Sequence, residues 1–394
     1  MAMLSVEEAQ TRLFALAEPL PVETIPLADA AGRWAAADVI ARRHQPAADL
    51  SAMDGYAIRY ADLPGPWTVV GESAAGGSLN RAIGAREAAR IFTGAPLPEG
   101  ADTVLIQENA ARDGDRLVLT SDAPRRIGHH VRPLGSDFAT GATLIEAGAP
   151  LNPARIALAA IGGHGRLPVH ARPRVAILST GNELVEPGTP TEGAMLPASN
   201  TPMLAALIGR TAQVLDGGIV RDDLDALAAA LRDAAAASDI LVTTGGASVG
   251  DHDLVRPALA RAGAELDFWK VALRPGKPIM AGRLGRTLVL GLPGNPVSAF
   301  VTAMLFLAPL VARMGGAADP LPRARSLPLA NALAENGPRA HYLRATIRDG
   351  ALDTLPDQDS ALLAALASAD ALVIRPAHAP AASAGDMAMF LPLA

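Results

Sequence analysis

Between residues 174 and 312, short apolar runs alternate with amphipathic segments at a spacing that few architectures accept. The runs at 175–178, 213–215 and 240–242 read as strands, with helices at 202–208, 224–236 and 254–262 between them. Further apolar runs around Phe268, at 278–280 and at 287–290 lead into a long apolar helix after Pro296. Strands apolar on both faces need cover on both faces, so the pattern predicts a mostly parallel sheet with helices on each side. Such sheets present ligands at the carboxyl ends of their strands.

The flanks have a different texture. Ser5-x-x-Glu8 is a capping box, and Leu13 and Leu16 give the following helix an apolar face. From 41 to 130, β-branched runs separated by Gly76-Gly77, Pro98-Glu99-Gly100 and Asp113-Gly114-Asp115 predict a β-rich unit. Segments 1–40 and 131–169 are helical or mixed, with a helix expected near 153–161, so the β-rich unit reads as an insertion. The α/β region then covers 170–318. Beyond Gly315-Gly316, short strands at 342–347, 371–374 and 387–391 predict a separate β domain over 319–394.

Composition narrows the chemistry. The 394 residues contain no cysteine, which excludes disulfides, thiolate metal ligands and cysteine nucleophiles. The eight histidines form no zinc-binding spacing, so any metal is expected on oxygen ligands. A net charge of −6 has the wrong sign for coating nucleic acid. Glu7 and Glu8 stand where a secretory signal would carry its apolar run, and 296–312 falls short of the roughly 18 residues of a spanning helix. A cytoplasmic protein with no membrane role is the expectation.

Three strand ends carry small or polar turns: Ser179-Thr180-Gly181-Asn182-Glu183, Arg221-Asp222-Asp223, and Thr243-Thr244-Gly245-Gly246-Ala247-Ser248-Val249-Gly250-Asp251-His252-Asp253. Small residues let backbone N–H groups approach a phosphate, and helix starts add donors. Carboxylates beside such loops call for a cation, and hydrated Mg²⁺ shared with substrate phosphates resolves the conflict. Asp222, Asp223, Asp251 and Asp253 are therefore metal candidates, each of which also reads as a helix N-cap. Lys270 and the turn Arg274-Pro275-Gly276-Lys277-Pro278 concentrate cations suited to an oxyanion, or to a solvated turn. Gly291-Leu292-Pro293-Gly294-Asn295-Pro296 opens the apolar helix and puts Ser298 in its first turn. Gly246-Ala247-Ser248-Val249-Gly250 also matches the Gly-x-Ser-x-Gly elbow of serine hydrolases. With the strand ending at Val242, five residues intervene, and Ser248 reads better as a phosphate ligand.

Six blocks in order resemble the molybdopterin molybdenumtransferase (MoeA) family, related to the E domain of gephyrin. They are Ser-Ala-Met-Asp-Gly-Tyr-Ala at 51–57, Thr-Gly-Ala-Pro-Leu-Pro-Glu-Gly at 93–100, Ser-Thr-Gly-Asn-Glu-Leu at 179–184, Gly-Gly-Ala-Ser-Val-Gly-Asp-His-Asp at 245–253, Arg-Pro-Gly-Lys-Pro at 274–278 and Gly-Leu-Pro-Gly-Asn-Pro-Val-Ser at 291–298. The resemblance implies an α/β multidomain homodimer: a helical N-terminal domain, an inserted β domain, a central α/β domain similar to MoaB/Mog-like molybdopterin adenylyltransferases, and a C-terminal β barrel. It implies a Mg²⁺-dependent reaction of adenylylated molybdopterin with molybdate, giving molybdenum cofactor and AMP. A molybdopterin adenylyltransferase and recipient molybdoenzymes are the implied protein partners.

In that scheme Thr244, Gly245, Gly246 and Ser248 hold phosphates, Asp222 and Asp253 hold Mg²⁺, and Glu183 positions nucleotide or pterin. Lys270 and Lys277 balance charge, while Asp54 and Thr93 complete the site, across the dimer interface. Lys277, Pro278, Ser298, Arg344 and Ser360 form the molybdate pocket, with Arg274 in place of a frequent lysine. Ser136 stands where the family usually has glutamate, Tyr342 replaces phenylalanine, and Gln358-Asp359-Ser360-Ala361 is the loosest match. A non-catalytic pterin-binding scaffold is the alternative that the gephyrin relationship leaves open.

Overall fold

The computed structural model describes residues 3–74, 76–77, 79–245, 254–276 and 278–393, with the backbone alone at 267–269 and 278. The chain forms two compact units. One comprises 1–37, 147–151 and 168–394, and the other 38–146 and 152–167.

The first unit holds the α/β sheet. Its strands are β1 (Arg174–Thr180), β2 (Gln213–Val220), β3 (Ile240–Thr244), β4 (Glu265–Lys270), β5 (Pro278–Leu284) and β6 (Thr287–Leu292), in the order β2-β1-β3-β6-β5-β4. The sheet is mixed, which corrects the expectation of a mostly parallel one: β2-β1-β3-β6 pair in parallel, and β6-β5-β4 pair antiparallel. The cause is local. Leu284 pairs with Thr287 across Gly285-Arg286, with Gly285 at φ +61, and a turn that short cannot hold a crossover helix. Strand β3 also runs two residues past Val242, because Thr243 and Thr244 continue the pairing with Gly291 and Leu292.

Alternation along β1 sorts its side chains onto two cores. Val175 and Ile177 face α1 (Val6–Ala15), α2 (Asn200–Ile208) and the long apolar helix, whereas Ala176 and Leu178 face Leu227 and Leu231 of α3 (Leu224–Ala237) and Val255 and Leu259 of α4 (Val255–Ala262). Each fully buried Leu, Ile or Val adds roughly 1.5–3 kcal/mol. The capping box at the start of α1 is formed in both directions, Ser5 N–H to Glu8 Oε2 at 2.8 Å and Glu8 N–H to Ser5 Oγ at 3.1 Å.

The apolar helix runs over Pro296–Met314, two residues past the run read from the sequence, so at 19 residues it is long and apolar enough to cross a membrane rather than falling short; yet 78% of its apolar window is buried inside the protein. It comprises α5 (Pro296–Thr302), a π-helical stretch Ala303–Leu307 and α6 (Ala308–Met314). Pro309 has no N–H for the carbonyl of Leu305, four residues earlier. Gln10 Nε2 donates to that carbonyl instead, at 2.8 Å, and so ties α1 to the interruption.

A second sheet occupies the C-terminal region. Strands Leu273–Arg274, Ala340–Arg348, Ala371–Arg375, Met387–Pro392 and Arg325–Pro328 are neighbours in that order, and Ala351–Thr354 pairs with Ala340–Arg348. A bridge from Leu329 to Leu352 brings the last strand back to Ala351–Thr354 around a core of Leu329, Ala345, Leu352, Val373 and Phe390. The first strand is borrowed from the segment between β4 and β5, which places Arg274 opposite His341 in this sheet.

The other unit is built on six strands: Thr103–Ile106, Gly55–Ile58, Glu87–Ile91, Trp67–Ser73, Arg116–Leu119 and Ala110–Asp113, in that spatial order. Tyr56, Ile58, Trp67, Leu105 and Leu117 form one of its cores. The helix Pro153–Ile161 belongs to this unit and is capped by Asn152, whose side chain accepts from Arg155 N–H at 2.9 Å.

Candidate functional site

A cleft of about 770 Å³ opens at the carboxyl ends of the parallel strands. Ser179 and Thr180 at the end of β1 with Gly181 after it, Asp222 after β2, Thr244 at the end of β3 with Gly245 after it, and Pro293 to Pro296 after β6 all line it. Its floor is a chain of buried hydroxyls: Ser179 Oγ lies 2.9 Å from Thr201 Oγ1 and 3.2 Å from Thr244 Oγ1. Glycine is required where the strand ends converge. Gly245 has φ +92, and a Cβ there would meet Thr180 O at 2.7 Å, while one on Gly294 would already touch Gly245 Cα at 3.4 Å.

The sequence left each aspartate after β2 with two readings, and the structure separates them. Asp223 caps α3, accepting from Ala226 N–H at 2.8 Å. Asp222 caps nothing; it faces the cleft, and its loop is tied to the neighbouring one by Asn182 N–H to Asp222 Oδ2 at 3.3 Å and Asp222 N–H to Asn182 Oδ1 at 3.1 Å. Glu183 lines the same cleft. Among the described residues neither carboxylate has a cationic partner within ion-pair distance. Asn200, absent from the sequence reading, donates to Gly294 O at 2.8 Å, while its buried Oδ1 has no partner among the described residues. Only its place just ahead of a helix offered a signal.

At the far wall, Asn295 Nδ2 donates to Ser360 Oγ at 3.0 Å and Val297 N–H to Ser360 O at 3.2 Å, so Ser360 meets the turn of α5 that carries Ser298. Arg344 is 1% exposed, and its guanidinium donates to Gln358 Oε1 and to the carbonyls of Asp357, Asp359 and Leu362. The charge thus shapes the loop that presents Ser360. Gly276, at φ +102, packs on this helix, where a Cβ would strike Thr302 Cγ2 at 2.6 Å. Lys270 and Arg274 are exposed. Burial pushes the His341 imidazole down to about 4, and Arg274, Arg339 and Arg344 push the same way, so it adds no charge to this cationic corner at neutral pH.

Gly246, Ser248, Asp251, Asp253 and Lys277 lie outside the described residues, as does the side chain of Pro278. The extension of β3 leaves three residues rather than five between strand and Ser248, which removes part of the objection to an elbow.

The other unit brings Asp54 and Thr93 together. Thr93 donates to Asp54 Oδ1 from its N–H at 2.7 Å and from its hydroxyl at 2.9 Å, and these bonds, backbone first, hold the carboxyl below its ordinary range. The two motifs are knit further by Gly94 N–H to Ser51 O and Ser51 N–H to Ala95 O, both at 2.9 Å.

Family models match nearly the whole chain in three parts: the MoeA N-terminal region (domain I and II) over 4–163, a probable molybdopterin binding domain over 176–313, and the MoeA C-terminal region (domain IV) over 326–393. A molybdopterin molybdenumtransferase of Haemophilus influenzae is 36% identical over 80% of this chain and 78% of its own. One from Staphylococcus aureus is 30% identical over 97% and 94%. The crystal structure of a molybdopterin biosynthesis MoeA protein from Pyrococcus horikoshii superposes with a TM-score of 0.85 at 25% identity, covering 99% of this chain and all of that one.

Proposed function

The chain belongs to the molybdopterin molybdenumtransferase family, and from that premise we propose that it inserts molybdenum, turning adenylylated molybdopterin and molybdate into molybdenum cofactor and AMP. The observation that carries this reading is the cleft itself: a floor of hydroxyls, lined by glycines, beside two carboxylates that lack cationic partners among the described residues. A pyrophosphate link suits the first part, and a divalent cation suits the second.

The donors present fit Mg²⁺. Asp222 and Glu183 offer hard oxygens at the cleft wall. The cation is shared in this reading with substrate phosphate, as Mg²⁺ usually is. In this reading Asp222 and Asp253 hold it, and when bound it neutralises charge on the phosphates. Thr244 and Gly245, with Gly246 and Ser248, bind the phosphates through hydroxyl and backbone donors. Glu183 positions the pterin or nucleotide. Lys270, Arg274 and Lys277 balance the charge of substrate and molybdate, and the latter sits against Pro278, Ser298 and Ser360, with Arg344 fixing the loop. Asp54 and Thr93 complete the site in a homodimer. The reading keeps the four-part division into 1–40 with 131–169, 41–130, 170–318 and 319–394.

Purified protein given adenylylated molybdopterin, Mg²⁺ and molybdate is expected to release AMP and form molybdenum cofactor, as measured by chromatography of the nucleotide. Tight pterin binding without AMP release under any divalent cation would instead establish a scaffold.

A further inference from the structure

The Asp54 turn is held by a residue that no motif singled out. Arg90 stands on the strand Glu87–Ile91, directly across from Tyr56 in the antiparallel pairing. Its guanidinium lies 5.2 Å from the Tyr56 ring centroid and 4.8 Å from that of Phe92. Two donors are fixed: Nη1 to the carbonyl of Gly55 at 3.0 Å and Nη2 to Gln107 Oε1 at 2.6 Å. Gln107 N–H in turn donates to the carbonyl of Asp54 at 3.1 Å. The carbonyl of Asp54 and that of the next residue are therefore both tied to one Arg90–Gln107 unit, while Thr93, the residue directly after Phe92, holds the carboxyl. Arg90 makes no ion pair among the described residues, and its positive charge acts on the Asp54 carboxylate.

We propose that Arg90 is a positioning residue for the Asp54–Thr93 pair, setting the direction in which the Asp54 carboxylate is offered to the reacting substrate. This rests on the reading above, in which Asp54 takes part in the transfer. A planar fork lying over two aromatic rings supplies what an ammonium cannot, so lysine is a poor substitute.

The test is a double-mutant cycle on AMP release by the full chain, with kcat, KM for adenylylated molybdopterin and melting temperature measured for Arg90→Gln, Arg90→Lys, Asp54→Asn and Arg90→Gln/Asp54→Asn. Expected are a fall in kcat of about 30-fold for Arg90→Gln with KM within about twofold, little recovery in Arg90→Lys, and a double variant no slower than Asp54→Asn alone. Multiplying single effects in the double variant would overturn the proposal, as would a rise in KM at constant kcat, which marks direct substrate contact. So would a loss of kcat that tracks the fraction unfolded. Wild-type rates in Asp54→Asn would remove Asp54 from the site and Arg90 with it, whereas a slow Asp54→Asn with independent effects would sink the Arg90 inference alone.

Discussion

The two ends of the α/β sheet are made of the same strands and treat polar groups in opposite ways. At the amino end, Arg174 and Asp239 close on each other: Arg174 Nη2 to Asp239 Oδ1 at 2.8 Å, Arg174 N–H to Asp239 Oδ2 at 2.9 Å, and Asp239 N–H back to Arg174 O at 2.9 Å. Thr287 Oγ1 donates there to the carbonyls of Ala235 and Ser238. At the carboxyl end, Thr243 Oγ1 and Asn200 Oδ1 are buried without partners among the described residues, and Asp222 and Glu183 face a cleft. Unmatched buried polar groups cost about 1–3 kcal/mol each, so a fold keeps them where something else benefits. The closed end serves stability, and the proposed function places binding at the open end.

The largest effect expected from breaking that contrast is at Asp222. Asp222→Ala should lower kcat for AMP release by at least on the order of 10²-fold while leaving the melting temperature within a few degrees, because the carboxylate caps no helix and pairs with no cation among the described residues. Loss of stability instead of activity would show that the open end is structural after all.

Next in size is Gly245→Ala. The added methyl meets Thr180 O at 2.7 Å in a backbone conformation that disfavours side chains, which predicts a destabilisation of about 1–3 kcal/mol by urea titration together with weaker nucleotide binding. An unperturbed variant would mean that the strand ends do not converge as described.

The smallest effect is at the closed end. Asp239→Asn should cost about 1 kcal/mol, since both partners are partly exposed, and should leave kcat unchanged. Partial burial raises the Asp239 carboxyl, and the hydrogen bonds and charge of Arg174 outweigh it, leaving the group below its ordinary range. A depressed carboxyl contributes stability that is complete above its unfolded pKa of about 3.9 and fades as pH falls through the folded value. The gap between wild type and Asp239→Asn in thermal melts should therefore be constant at neutral pH and shrink below about pH 4.

What the sequence disclosed follows the same division. Strand and helix alternation, the capping box at Ser5 and the loops carrying Asp222 and Gly245 were legible, because periodicity and small residues are local signals. The antiparallel β5–β6 hairpin was misread, since Gly285-Arg286 is a weak turn signal between two apolar runs that suit either direction. The strand Leu273–Arg274 joining the C-terminal sheet and the four side-chain hydrogen bonds of Arg344 depend on partners some 65 and 15 residues away. No spacing rule reports such contacts. Arg90 escaped notice for the same reason, as one cation in a strand with no pattern around it.

The central claim is that the open end of the sheet holds substrate phosphate and a divalent cation on Asp222. Anomalous diffraction at the manganese edge, from crystals grown with Mn²⁺ and AMP, tests it most directly. The account predicts a peak at about 2.2 Å from an Asp222 carboxylate oxygen, with the AMP phosphate over Thr244 and Gly245. A peak elsewhere on the protein, or AMP bound outside this cleft, would contradict it.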